Sequence, residues 1–433
     1  MIRISTLSVG QNRGQPRIWI EGRFLERAGF EVGESVAVAI GRDQITITLD
    51  GKGSRIVSGS RKAGRPPVLD LNSAALRRCF EACFKVEVRT DHGRIVITPA
   101  RTARKRAARR HDGTVGSAFS GGGLLDEAAR QAGYTTLFGI EQNPDYADIW
   151  QANHSGQMYQ GCISQVDLRE LPQVDLLVMG IPCQPFSAIR RQSGNTRRDS
   201  GDLPETHEMA DLSVWGLMLA DAVNPSTVVI EQVPGYLNSG IGTVTVSALK
   251  RMGYTVDSRV IRGTDYGACT SRRRSVLVAN DGGFRWPRRT RKHPRPGDLL
   301  LPPDEQACEW FNRELKPWLF DHWDRQRARG NSFASQQITP ETQSVQAITK
   351  RYFAGQGDNP VVKDVRPGRE GWFRWLTLGE VKRIMGLRDG YDLGPTKTTA
   401  GEVLGQGVLV DVFRKIIRSI ASGTRRRTAG ARS

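Results

Sequence analysis

The sequence predicts an α/β fold: an open, mostly parallel sheet covered by helices on both faces, with a β-rich module before it and a smaller irregular lobe within it. Three observations predict this. Between residues 113 and 284, apolar runs of strand length alternate with amphipathic runs of helix length, the pattern left by βαβ units. Residues 1–100 carry two related stretches of alternating strands. From 285 to about 345 both periods are lost, and Pro, Arg and Trp abound.

Composition sets the outer bounds. A chain of 433 residues with 38% hydrophobic side chains has room for two or three domains, each with a core. Lys plus Arg outnumber Asp plus Glu by 63 to 45, a net charge of +18 that suits an extended polyanion as partner. The chain opens with no apolar signal-like stretch and holds no run of about eighteen apolar residues, so the expectation is a cytoplasmic protein with no membrane partner. Six cysteines, at 79, 83, 162, 183, 269 and 308, form no CxxC pair and suggest reduced thiols rather than disulfides or a metal site. Cys79 and Cys83, at helical spacing, read as core thiols.

In chain order, residues 17–30 read as a short helical segment, followed by VAVAI and QITITL flanking a turn. A similar plan recurs over 68–98, where VLDL and a helix-like NSAALRRCFEACF precede KVEVRT and RIVIT. Each copy is too small to bury a core alone, so the two are expected to pair or intertwine. This repeat resembles the swapped-hairpin modules called AbrB-like, SymE-like ones included. The resemblance implies either DNA binding or a scaffold for self-association.

Residues 101–112 form a basic linker, RTARKRAARR at its head, able also to touch phosphate. The α/β domain then spans 113–284, the lobe 285–370, a helical return 371–422, and a basic tail 423–433. Within the lobe, Trp310, Trp318 and Trp323 read as a small core and His322 beside Asp321 as a surface pair.

Chemistry concentrates at strand ends. The first strand of the α/β domain ends in Phe119-Ser120-Gly121-Gly122-Gly123 and the second in Glu141. A glycine turn lets a nucleotide approach the backbone, and an acid closing the second strand accepts ribose hydroxyls, features that serve NAD and S-adenosylmethionine alike. After the strand VDLLVM comes Gly180-Ile181-Pro182-Cys183-Gln184-Pro185-Phe186-Ser187, a cysteine between prolines at the substrate rim. Glu231 terminates TVVIEQV and should share that rim, while Arg272 and Arg274 alternate along a strand start and so point to one face.

These segments, in this order over residues 114–420, resemble the DNA (cytosine-5) methyltransferase family. The resemblance implies a Rossmann-like S-adenosylmethionine-dependent methyltransferase sheet with a target-recognition lobe, S-adenosyl-L-methionine as cofactor and double-stranded DNA as partner, with no metal. Pro182, Cys183 and Gln184 match the family's Pro-Cys-Gln loop, which makes Cys183 the nucleophile. Glu-Gln-Val at 231–233 stands for Glu-Asn-Val, making Glu231 the acid at cytosine N3. Arg272 and Arg274 match the family's paired arginines, Arg274 on the base oxygen and Arg272 bracing the loop or the carboxylate. Phe119 through Gly123, Glu141, Gln142, Cys162 and Pro182 fall at cofactor positions. There Leu124 replaces a glycine and Cys162 an acid, and the closing Gly-Asn-Ser-Val becomes Gly405-Gln406-Gly407-Val408. Gln184, Ser187, Arg285, Arg288 and Arg289 are then expected to face DNA, since a buried base must be flipped out and its backbone held. Two rival readings keep part of this: methylation of tRNA, and a non-catalytic DNA-binding regulator working through the N-terminal repeat.

Overall fold

The computed structural model describes residues 2–430 except 42–43, 63, 77–84, 100–111, 184–206, 208, 283, 291, 302–307, 331–334 and 356. Cys79, Cys83, the second repeat's helix, nearly all of the linker, Gln184 and Ser187 fall outside the described residues. The chain divides into two compact units, Met1–Arg109 with Lys250–Tyr254, and Arg110–Leu249 with Thr255–Ser433.

Among the described residues the first unit holds ten strands: β1 (Arg3–Ser8), β2 (Gly10–Asn12), β3 (Gln15–Glu21), β4 (Ser35–Ile40), β5 (Ile45–Leu49), β6 (Arg55–Ile56), β7 (Ser58–Gly59), β8 (Pro67–Asn72), β9 (Lys85–Asp91) and β10 (Arg94–Pro99). They form a six-stranded sheet, β1-β9-β10-β5-β4-β6, and a four-stranded one, β2-β3-β8-β7. The order is nearly symmetric. Central strands β5 and β10 pair Ile45 with Ile97 and Ile47 with Ile95, so exchanging the two repeats maps the ladder onto itself. Strands β3 and β8 do likewise, pairing Ile18 with Leu71 and Ile20 with Leu69. Each repeat also lends its first strand to the other's hairpin, β1 to β9 and β6 to β4. One core results, with Ile18, Ile47, Leu71 and Ile95 among its buried members. The helix expected over 17–30 shrinks to Phe24–Arg27, because Ile18 and Ile20 face inward while Trp19 faces out, a period of two.

The second unit is built on a seven-stranded sheet, β13-β12-β11-β14-β15-β17-β16. Its strands are β11 (Thr114–Ala118), β12 (Thr135–Glu141), β13 (Gln157–Gln160), β14 (Leu176–Gly180), β15 (Thr227–Gln232), β16 (Thr255–Arg262) and β17 (Arg273–Asn280). β11 to β15 run parallel, and β17 lies antiparallel to both β15 and β16. The central strands β14 and β15 are buried along their length up to Gly180 at the rim, as parallel strands covered on two faces must be. On one face Val115, Leu176, Val178 and Val229 join α1 (Leu124–Gln131) and α7 (Val410–Gly430) in the main core. On the other face lies α3 (Leu212–Val223), with Gly216 against Met179. Helix α2 (Pro144–Asn153), capped by Asn143, follows β12.

The lobe, expected to be irregular, contains a small sheet, β18-β21-β20-β19, of β18 (Trp310–Phe311), β19 (Gln337–Ile338), β20 (Val361–Lys363) and β21 (Phe373–Trp375). The boundary expected at residue 370 therefore cuts a hairpin. Helix α4 (Pro317–Ala328) buries Trp323, at 2% exposure, with Phe311, Leu319 and Phe373. Trp318, expected in that core, is 53% exposed, because it sits about 100° round the helix from buried Leu319. His322 pairs with Asp358 at 2.7 Å rather than with Asp321. Helices α5 (Leu378–Met385) and α6 (Lys397–Gln406) return the chain to the main core. The basic tail expected from 423 continues α7 as far as Gly430, consistent with its Arg and Ala content and its lack of proline.

Candidate active site

In an open parallel sheet, loops on either side of the strand-order reversal splay apart and leave a crevice at the carboxyl ends. The reversal here lies between β11 and β14. The loop after β11 is Phe119–Gly123, and the loop after β14 carries Pro182 and Cys183.

Register puts the remaining groups on the same rim. Gly180, three residues before Cys183, pairs with Glu231 of β15, and Glu231 pairs with Val276 of β17, whose start carries Arg274. Glu231 is 7% exposed, and Arg274 Nε lies 2.6 Å from its Oε1. The contact is ionic and off the hydrogen-bond line, since Oε1 has no hydrogen-bond partner among the described residues. A buried carboxylate oxygen with an unused lone pair, beside an exposed cysteine, is a place for a polar ring edge.

Packing around the thiol, and then the charge of Glu231, push Cys183 above the ordinary thiol value, while Arg274 and Arg272 oppose them. At neutral pH the sulfur therefore keeps its proton until something displaces it. Gln232 fixes the cysteine loop: Nε2 donates to the carbonyls of Ile181 and Pro182, both at 2.9 Å, and Oε1 accepts from Val233 N. Arg272 makes its hydrogen bonds elsewhere. It is 4% exposed and donates to Ile348 O at 3.0 Å and Gly405 O at 2.7 Å, tying the lobe to the closing glycine motif, while its charge still acts on Glu231 and Cys183.

The glycine loop is wound tightly. Phe119, Gly121 and Gly123 all have positive φ, of 53°, 53° and 82°. For Phe119 that is a strained state, held because the next residue is anchored: Ser120 N donates to Ile140 O, and its hydroxyl meets Ser117. Glu141 accepts from Gly121 N at 2.7 Å and from Asn143 N at 2.8 Å, and burial pushes its carboxyl up. Gln142 is exposed beside it. Cys162, half-buried at the end of the loop after β13, accepts from Ser164 Oγ at 3.1 Å.

Two residues that sequence reasoning passed over hold this loop from below. Tyr391 donates to Gly122 O at 2.5 Å, and His154 Nε2 lies 3.1 Å from Gly123 O and 3.3 Å from the Tyr391 hydroxyl. Burial lowers His154 to about 4, so the ring is neutral and Nε2 carries the proton that reaches Gly123. A side chain at position 123 would collide with that ring, its Cβ 2.4 Å from Nε2. The signal available in sequence was only a histidine at a helix end and a tyrosine in a turn.

Arg285, Arg288 and Arg289 sit apart from the lobe's sheet. Residues 284–290 run along β16, where Trp286 Nε1 donates to Asp257 and Thr290 bridges to Tyr266. Arg285 and Arg289 line a shallow pocket there with Arg259, Phe284 and Trp286. Among the described residues no helix is long and apolar enough to cross a membrane, and no cluster of potential metal ligands occurs.

The doubly wound sheet thus carries a cysteine loop, a buried acid and an arginine on one rim. Residues 113–422 match the family described as C-5 cytosine-specific DNA methylase, and the chain belongs to it. Its activity is that of an S-adenosylmethionine-dependent DNA (cytosine-5-)-methyltransferase. Similar proteins include the type II methyltransferase M.NlaX of Neisseria lactamica, 26% identical over 65% of this chain and 86% of that protein. Another is M.HhaI of Haemophilus parahaemolyticus, 23% identical over 70% and 93%. Among solved structures, the Entamoeba histolytica methyltransferase EhMeth superposes with a TM-score of 0.59 at 16% identity, covering 72% of this chain and 99% of its own. The S. pombe Dnmt2 methyltransferase gives 0.55 at 19%, covering 71% and 98%. At such identities the likeness speaks for the fold.

Proposed function

We propose that Cys183 adds to C6 of a cytosine flipped from duplex DNA while Glu231 protonates N3 and Arg274 holds the base oxygen. The observation that carries this is the buried Glu231 carboxylate, its Oε1 2.6 Å from Arg274 Nε, on the rim shared with Cys183. Carbon 5 is a weak nucleophile, so a sulfur–carbon bond at C6 must first push the ring electrons toward C5. The proton delivered to N3 is balanced by the one the Cys183 thiol gives up as its S–C6 bond forms. After C5 is methylated, its remaining proton leaves to a base or water, the S–C6 bond breaks as the N3 proton returns through Glu231 to the sulfur, and the C5–C6 double bond returns.

The glycine loop and Glu141 suit S-adenosyl-L-methionine. Gly121 has open space where a Cβ would be, so a ligand can reach the backbone, and each Glu141 oxygen retains a lone pair for a ribose hydroxyl. When bound there the cofactor supplies an electrophilic methyl group. Phe119 to Gly123 would shape its site, with Pro182 at the border toward the base and Cys162 and Gln142 at its edge.

Bisulfite sequencing of DNA from a host expressing the protein tests the whole reading. Methylated cytosines in one sequence context are expected, and Glu231→Gln should lower turnover roughly 100- to 10,000-fold while duplex binding persists. Unchanged turnover in that variant would contradict the role of Glu231.

For the first unit, we infer a swapped-hairpin module of the AbrB-like kind in which both halves of the pair belong to one chain. The exchange of β1 and β6 between repeats supports this reading. Its partner is duplex DNA, and removing residues 1–110 should weaken DNA affinity and flatten its salt dependence. Equal affinity and salt slope in the truncated protein would reject it.

A further inference from the structure

The hairpin joining β20 to β21 is rooted at buried Tyr352, whose hydroxyl donates to Pro360 O and accepts from Leu376 N. Residues 364–372 make up its far end. Two consecutive turns shape it, with Arg369 N bonded to Arg366 O and Trp372 N to Arg369 O. Gly368 and Gly371 occupy the third position of these turns at φ values of 76° and 81°, and Pro367 precedes Gly368, the residue choice that type II turns require. Arg366, Arg369 and Trp372 therefore stand at the ends of these successive turns.

At this end two arginines are held rigid without being buried. Asp364, its side chain 2% exposed, takes Arg366 through Nε and Nη2 at 3.0 and 2.7 Å and Arg369 through Nε at 3.1 Å. The Arg369 guanidinium also stacks 4.2 Å from the Trp372 ring centre. Its Nη1 and Nη2 have no hydrogen-bond partner among the described residues, and its side chain remains 31% exposed. Arg374, on the same hairpin, shows the contrast: it is 3% exposed and bonded at both Nη atoms to Glu380, as a structural arginine would be. An arginine braced at Nε by a carboxylate and stacked on an indole has little rotamer entropy left to lose. It presents a planar pair of donors that matches O6 and N7 of guanine in the major groove.

We propose that Arg369 is a specificity-determining residue that reads a guanine in the target sequence, with Asp364 and Trp372 positioning it. This rests on the DNA methyltransferase reading of the same chain. Duplexes are selected from a randomised pool by the full-length wild-type protein, Arg369→Ala and Arg369→Lys, and each enriched duplex is then assayed for methyl transfer. The wild type should enrich a motif with a fixed guanine that Arg369→Ala leaves degenerate, with a loss of roughly 5- to 150-fold in affinity for the wild-type motif. Arg369→Lys, which keeps the charge but not the planar fork, should retain the guanine at reduced preference. A motif without a fixed guanine, or one that all three proteins share at every position, overturns the assignment. A guanine lost only in Arg369→Ala, with no methyl transfer by the wild type, upholds the assignment and overturns the site chemistry instead.

Discussion

Individual side chains in this protein divide into those that chemistry selects and those that hold them in place. That Cys183, Glu231 and Arg274 share one rim was legible from sequence because each stands at a strand end, and the register of β14, β15 and β17 brings them there. Arg272 was legible as important but not in its role, since its partners are carbonyls 76 and 133 residues away in sequence. His154 and Tyr391 were not legible at all, for the same reason: backbone acceptors leave no sequence signature. Asp126 belongs with them. It is fully buried in α1, and burial pushes its carboxyl up from 3.8 to about 7 against the opposing pull of Ser117 and Trp150 beside it. The unfolded chain releases that proton near pH 4 while the folded one holds it to about 7, so stability falls as pH rises across this window and levels off above it. Melting temperatures measured from pH 4 to 8 should show this decline in the wild type and a flatter profile in Asp126→Asn. The same slope in both would assign the decline to other groups.

Elements follow from pattern where period is strong and from tertiary contact where it is weak. The βα alternation from 113 to 284 gave the sheet because apolar runs as continuous as VDLLVM can only be central parallel strands. The lobe's two- and three-residue strands are too short to leave any period, so its small sheet could not be read. The segment RWLTLGE, where the helical return begins, is fixed by a single junction. Thr377 caps α5 in a capping box with Glu380, and Glu380 also takes both Nη atoms of Arg374 and the Leu301 amide. A fully buried pair of this kind is costly to break from one side. Glu380→Ala should destabilise the protein by about 3–5 kcal/mol in denaturant unfolding, whereas replacing both partners with apolar residues of similar volume should cost far less. Equal losses in the single and double variants would mean that the ion pair is not what holds this junction.

At the scale of the whole molecule, two units with different logics share one chain. The first closes a core by exchanging strands between its own repeats, and the second splays loops at a sheet's reversal to build a reactive crevice. Intertwining of the repeats was expected from their size, but the part played by β1, β2, β6 and β7 was hidden in strands with few apolar residues. The net charge of +18 gave the class of partner without telling which unit meets it. The chemistry proposed for the second unit converges on a single covalent bond. Duplexes carrying 5-fluorocytosine, which offers no C5 proton to lose, should therefore arrest the reaction midway in the presence of S-adenosylmethionine. The account predicts a denaturation-stable protein–DNA adduct whose peptide mapping places the link on Cys183, absent in Cys183→Ala. Full methyl transfer to ordinary duplex with no such adduct, or an adduct that survives Cys183→Ala, would contradict it.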